Sequence, residues 1–94
     1  MSFVYILFSD KDKQLYIGFT DNLKSRFKAH SNGYVKATQN RRPLKLIYYE
    51  AYSVESDARR REKYLKGGNG RKELKVQLQD ILKQVDYKFQ LTLA

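Results

Sequence analysis

Residues 3–8 read Phe-Val-Tyr-Ile-Leu-Phe and do not alternate between apolar and hydrophilic. A β-prone run of this kind has no side to turn toward water, so it reads as a strand covered on both faces. The rest of the chain must supply packing for each side. It has 94 residues for that task, enough for one domain with one modest core and no room for a second.

The other elements follow from turn signals and periodicity. Residues 9–13 are polar and turn-like, and Leu15-Tyr16-Ile17-Gly18-Phe19 makes a second strand. Together with the first run it suggests an antiparallel hairpin whose loop exceeds the favoured two residues. Thr20-Asp21 offers an N-cap for a helix reaching about His30 or Ser31, with Leu23 and Phe27 as its buried stripe. Asn32-Gly33 ends that helix. Residues 34–42 form a polar, basic loop that Pro43 closes, and Leu44 to Ala51 form a third strand. Ser53 caps a second helix to about Lys66, and Gly67-Gly68-Asn69-Gly70 breaks it. Arg71 to Lys83 reads as a third helix, with Leu74, Leu78, Ile81 and Leu82 on one stripe. From Val85, the residues Tyr87, Phe89, Leu91 and Leu93 alternate with polar ones. That period of two belongs to a half-buried strand, either an added edge strand or one through which two copies form a homodimer. The expected organisation is a domain over residues 1–83 and a tail over 84–94.

Charge narrows the partners. Nineteen Lys and Arg against ten Asp and Glu leave +9, which draws polyanions and favours nucleic acid. With 41% hydrophobic and 14% aromatic residues, the chain has a folding composition and not a disordered one. There is no cysteine, so neither disulfides nor a cysteine zinc site are available. The apolar runs are too short to span a bilayer, and no basic segment followed by a long apolar one marks a signal peptide. A cytoplasmic protein without a membrane partner or a small-molecule cofactor is the expectation.

Glu62 lies inside Arg59-Arg60-Arg61-Glu62-Lys63-Tyr64-Leu65-Lys66. Val54, Ala58, Glu62 and Leu65 share one helical face, so this carboxylate belongs to the buried stripe and needs a partner. The common outcome is a structural ion pair, with Arg26 as the expected cation. The alternatives are a metal ligand and an acid/base group in a cleft. Arg26 and His30 are four apart on the first helix and share a side, where a phosphate would fit. A lone histidine more often sits at the surface, and here the nearby helix C-terminus favours a proton on it. Tyr5 and Tyr16 fall on neighbouring strands, and Gly18 shares a face with Tyr16 and leaves room for a close approach to the backbone. Strand tyrosines are usually packing residues. Two phenols, an arginine, a histidine and a glutamate are nonetheless a richer set than a plain core requires.

In this arrangement the chain resembles the GIY-YIG nuclease superfamily in its small stand-alone bacterial form, similar to the nuclease domain of the excinuclease C subunit. The second motif is intact as Tyr16-Ile17-Gly18, and the first is present as Phe3-Val4-Tyr5 without its leading glycine. Residues 18–30 resemble the family's first helix, with its arginine on Arg26 and its histidine on His30. Arg61-Glu62-Lys63 with Leu65-Lys66 resembles the segment carrying the metal-binding glutamate, and residues 41–46 resemble the lead into the third strand. Asn69 is the nearest asparagine after Glu62, and the role of the family's asparagine is not carried over to it.

The resemblance implies an α+β fold, a three-stranded antiparallel sheet flanked by helices. It implies hydrolysis of DNA phosphodiester bonds with one divalent cation, Mg2+ or Mn2+, held by Glu62. Arg26 would hold the phosphate, Tyr5 or Tyr16 would serve as base, and His30 would assist. Lys36, Arg41, Arg42, Arg59, Arg60, Lys63, Arg71 and Lys72 are the expected backbone contacts to DNA, each of which could equally be a plain solvated cation. The competing readings are a non-catalytic nucleic-acid-binding module and a structural protein assembled through its tail. The joint presence of Tyr5, Tyr16, Arg26 and Glu62 favours the enzyme.

Overall fold

The computed structural model describes residues 1–88. Strand β1 (Ser2–Ser9), strand β2 (Leu15–Thr20), helix α1 (Leu23–Ser31), strand β3 (Leu44–Tyr52) and helices α2 (Glu55–Lys66), α3 (Gly68–Gln77) and α4 (Gln79–Gln84) follow in order. A single 3-10 turn, Gln39–Arg41, lies in the loop before β3. The architecture is the expected α+β one, a three-stranded antiparallel sheet flanked by helices. None of the helices among the described residues is long and apolar enough to cross a membrane.

The strand order is β2-β1-β3, so the run without a polar side is the central strand. Its alternate residues serve two layers. Val4, Ile6 and Phe8 join Ile17, Ala58, Leu65, Leu74 and Leu82 in the core beneath α2, α3 and α4. Tyr5 and Leu7 join Leu44 in a smaller cluster under α1, closed by Tyr16, Leu23, Phe27 and Leu46. Leu65, Leu74 and Leu82 are essentially fully buried, each contributing about 1.5–3 kcal/mol of transfer free energy.

The β1–β3 ladder contains a bulge. Ile6 pairs with Tyr48 and Leu7 with Leu46, which leaves Ile47 as the extra residue. Before the bulge, Leu44 and Leu46 face α1. Beyond it Tyr48 and Glu50 face α2, while Tyr49 lies opposite Tyr5 and Ala51 opposite Phe3.

An ion pair orients α2 about its axis. Glu50 receives both Nε (3.0 Å) and a terminal nitrogen (3.1 Å) of Arg61, and also the hydroxyls of Tyr48 (2.7 Å) and Tyr52 (2.6 Å). Burial pushes the Glu50 carboxyl up, but the donors from Arg61, Tyr52 and Tyr48 outweigh it and hold the group below its ordinary value. On the other side of the helix the Arg59 guanidinium lies 3.9 Å from the centre of the Phe19 ring. Ala58 and Leu65 point into the core between these two anchors, and Glu62 falls on the Arg59 side.

Several boundaries differ from expectation. Asn22, not Thr20 or Asp21, caps α1, accepting from the Ser25 amide at 3.1 Å. Thr20 is occupied instead with the Asn22 backbone. No side chain caps α2, so Ser53 does not fill that role, and Val54 is 54% exposed as the N-cap residue rather than part of the buried stripe. The third helix is two helices, α3 and α4, with Leu78 out of helical geometry between them. Backbone bonds from Leu78 to Leu74 (2.9 Å) and from Leu82 to Leu78 (3.0 Å) carry the chain through this kink. Val85 and Asp86 form a turn, with Asp86 at φ 65, and Tyr87 is buried in the helical core. The alternating tail therefore does not begin as a strand, and its continuation over residues 89–94 lies outside the described residues.

The glycine stretch is a corner and not a loop. Only Gly67 interrupts the helices, and Gly68 to Gly70 form the first turn of α3. A Cβ on Gly70 would run into the backbone carbonyl of Tyr64, whereas one on Gly68 would meet nothing within 4 Å. Urea denaturation should therefore separate two conservative changes. Gly70→Ala is expected to lose about 1–3 kcal/mol through the forced shift of α3, and Gly68→Ala to be neutral or gain about 0.5 kcal/mol. Equal effects would contradict this packing of α2 against α3.

Candidate active site

The polar end of the α1 layer is built around the Tyr5 hydroxyl. Tyr5 is 1% exposed, yet its phenol ends among polar groups rather than in the core. Its oxygen lies 2.7 Å from Nε2 of His30, itself fully buried at the last turn of α1. The other ring nitrogen, Nδ1, lies 2.7 Å from Oγ1 of Thr38. Arg26, one turn before His30, is near enough for its charge to be felt at Tyr5. The Tyr16 ring is half-buried, with its centre 5.2 Å from that of His30 and 6.3 Å from that of Tyr5.

Both hydroxyls can donate or accept, so these contacts suit either neutral tautomer. In one of them the phenol donates to Nε2 and Nδ1–H donates to the Thr38 hydroxyl. Burial, reinforced by the positive charge of Arg26, lowers the His30 pKa to about 4. The histidine is thus neutral at pH 7 and able to accept. This reverses the expectation that the C-terminus of α1 would favour a proton on it, because desolvation and a nearby cation outweigh a helix dipole. Burial likewise raises the Tyr5 pKa, with Arg26 acting in the opposite sense and the charge of Glu62 adding to the rise.

Gly18 sits directly across the ladder from Tyr5. A Cβ there would overlap the Cζ and hydroxyl of the Tyr5 ring. The close approach expected at this glycine is therefore made by the protein's own phenol.

Glu62 is near enough for its charge to be felt at Tyr5, and its side chain is 18% exposed. Its ion-pair partner is Lys66 at 3.0 Å, one turn along α2, and not Arg26. Lys66 is 51% exposed and free to swing away. The described residues contain no cluster of three or more His, Cys, Asp or Glu able to hold a metal. One partly exposed carboxylate suits a hard cation such as Mg2+, which keeps most of its waters and takes further oxygens from substrate phosphates. The donor set therefore fits a single divalent ion at Glu62. Asn69 is exposed in the first turn of α3.

The expected DNA contacts divide. Arg41 is a structural clip: its Nε lies 2.6 Å from Asp12, and it donates to the Leu15 carbonyl at 3.3 Å, so the loop before β3 is tied to the β1–β2 turn. Its guanidinium is thus already committed to one of the protein's own carboxylates. Arg42 donates to the Gln39 carbonyl at 3.1 Å and keeps an exposed side. Arg59 and Arg60 form exposed pairs with Glu55 (3.3 Å) and Asp57 (3.0 Å), which a phosphate could replace at small cost. Lys36, Lys63, Arg71 and Lys72 are exposed. Two surface clefts of about 480 and 450 Å3 run along the outer side of α2, lined by Arg60 and Tyr64 in common and by Lys63 in the second. They lie on the side of α2 away from Glu62 and are distinct from the Tyr5 cluster.

Thr38 was not visible in the sequence as a functional residue. It stands in a polar loop with no periodicity, and only the fold brings it under His30. Arg61 was likewise indistinguishable from its neighbours Arg59 and Arg60, although it alone of the three is held by Glu50.

The family model described as the GIY-YIG catalytic domain matches residues 1–75. Curated relatives include a UPF0213 protein of Clostridium perfringens, 38% identical over 99% of this chain and 100% of that one. A UPF0213 protein of Staphylococcus haemolyticus is 40% identical over 79% of this chain and 90% of its own. Another from Bacillus licheniformis is 40% identical over 68% and 66%. No solved structure matches the chain significantly.

His30 is the chain's single histidine, so its ring protons can be followed by NMR without assignment. They are expected to stay in the neutral position from pH 8 down to pH 5 and to titrate with a midpoint of about 4. A midpoint near the ordinary histidine value would show that the ring is solvated and the cluster open. The folded pKa lies below the unfolded one, so protonation favours unfolding. His30 costs nothing well above pH 6.5 and costs progressively more as the pH falls, about 3 kcal/mol by pH 4. Gly18→Ala should displace the Tyr5 phenol and return the midpoint toward the ordinary value.

Proposed function

The chain belongs to the GIY-YIG catalytic-domain family, and from that premise we propose that it is a divalent-metal-dependent DNA endonuclease with low sequence selectivity, acting in DNA repair or processing. The observation that carries this reading is the buried Tyr5 hydroxyl, 2.7 Å from Nε2 of a neutral His30 and within reach of the charges of Arg26 and Glu62.

Tyr5 acts as the general base through a relay. Its proton passes to Nε2 of His30 as its oxygen takes a proton from the attacking water, and the resulting hydroxide attacks phosphorus. Arg26 stabilises the phenolate character that develops on Tyr5 and binds the non-bridging phosphate oxygens, a task for which its planar fork suits better than an ammonium. Thr38, accepting from Nδ1, keeps His30 in the tautomer that can receive the proton. Tyr16 orients the water or the phosphate. Glu62 holds the divalent cation after Lys66 is displaced. When bound, that cation supplies neutralisation of the phosphate and of the leaving 3′ oxygen.

DNA backbone binding falls to Lys36, Arg42, Arg59, Arg60, Lys63, Arg71 and Lys72. Contacts of this kind position the duplex without reading bases, which supports low sequence selectivity. Binding should therefore weaken steeply with salt.

Purified protein is expected to nick supercoiled plasmid with Mg2+ or Mn2+. Glu62→Gln and Tyr5→Phe should each reduce the rate by about a hundredfold or more while circular dichroism shows the fold retained. Cleavage that persists unchanged in Glu62→Gln would trace to a contaminant and sink the reading. Salt-sensitive binding without cleavage under any metal would make the chain a non-catalytic nucleic-acid-binding module.

A further inference from the structure

Helix α1 covers only part of its side of the sheet. It packs over Tyr5, Leu7, Leu44 and Leu46 through Leu23 and Phe27. Beyond Tyr5, toward the start of β1, the same face carries Phe3, Tyr49 and Ala51, which are outside the cluster under α1. Tyr49 is 52% exposed, Ala51 is exposed and Phe3 is half-buried. The Phe3 and Tyr49 rings meet edge to face, with centres 6.1 Å apart and planes at 66°. Phe3 thus braces Tyr49 from the side and leaves a face of its ring open.

This shelf is continuous with the catalytic cluster. Tyr49 is the direct cross-strand partner of Tyr5, a separation of about 5 Å between Cβ atoms. A ligand whose phosphate rests on Arg26 and Tyr5 passes over Tyr49 within one nucleotide. The acid of β3, Glu50, points to the opposite face and is held by Arg61, so it does not oppose an anionic strand here. Among the described residues the Tyr49 hydroxyl makes no side-chain hydrogen bond, and the ring is in contact with Phe3.

From this placement we infer that the Phe3–Tyr49 shelf stacks against an unpaired nucleobase next to the scissile phosphate. The inference rests on the reading of the Tyr5 cluster as a DNA site and names its substrate class. In a continuous duplex the flat faces of the bases are buried in the stack and cannot reach a protein ring. Single strands, flaps and branch points present one, and base–aromatic stacking is tolerant of base identity. The substrate is therefore DNA with at least one unpaired nucleotide at the cut, bound without sequence preference.

Fluorescence anisotropy in a chelating buffer tests this with two probes, a labelled oligothymidylate and a labelled blunt-ended duplex. Tyr49→Ala is expected to weaken binding to the single strand about tenfold and to the duplex by no more than about twofold, while Tyr49→Phe keeps both affinities. No loss on either probe, or the same loss on both, overturns the shelf while leaving the nuclease reading intact. If the unmodified protein binds neither probe and does not nick plasmid, the reading of the cluster fails and the shelf falls with it. Sedimentation gives one further outcome: a dimer that Tyr49→Ala converts to monomer makes the shelf a contact between copies and overturns base stacking.

Discussion

Burial of β1 on both faces organises this protein. A strand whose two sides are both sealed needs two unlike layers, and the chain supplies them from opposite directions. Helices α2, α3 and α4 form one from aliphatic side chains. Helix α1 and the loop before β3 form the other, and there the interior ends in a phenol, an imidazole and a hydroxyl. The cluster proposed to carry the chemistry lies at the polar end of this second layer. Had α1 been longer or more apolar, Tyr5 would be one more core aromatic.

The electrostatics of that layer follow from its dryness. Burial removes the charge from His30 and Arg26 keeps it away, so a residue expected to sit protonated at a helix end becomes a neutral acceptor. The same burial raises the Tyr5 pKa. A raised tyrosine pKa and a lowered histidine pKa both keep the proton on the phenol, so the pair is neutral at rest. Across their 2.7 Å contact the phenol can give up that proton only as its oxygen takes another. No buried polar side-chain atom among the described residues lacks a hydrogen-bond partner, so the cluster is stable as it stands and need not be strained to be useful.

Much of this was legible in the chain, and the limits are physical. The three strands and first two helices declared themselves because period and breaker agreed, as with Leu23 and Phe27 before Asn32-Gly33. Glu62, expected in the buried stripe from its spacing to Ala58 and Leu65, is half-buried at the edge of that stripe. Its partner was not legible, since Lys66 follows from helical spacing but Arg26 from proximity in space, and the second depends on where α1 lies. Glycine misled at residues 67–70 because the same residue that ends a helix also permits two backbones to touch, and only Gly70 has that second task. Thr38 left no trace because its function depends on a partner eight residues away with no shared period.

The bulge at Ile47 has a consequence for how the molecule finds its own frame. The β1–β2 hairpin closes a short loop, whereas β3 must return to β1 from far along the chain. A return one residue out of step beyond Ile47 would turn Glu50 against the sheet side that α1 occupies and tuck Tyr49 beneath α2. Such a mispaired strand would strand an acid away from Arg61 and hide the aromatic ring that the substrate is proposed to touch. The extra residue therefore works as a phase marker: it makes the correct alignment the only one in which the ion pair and the open ring are satisfied together.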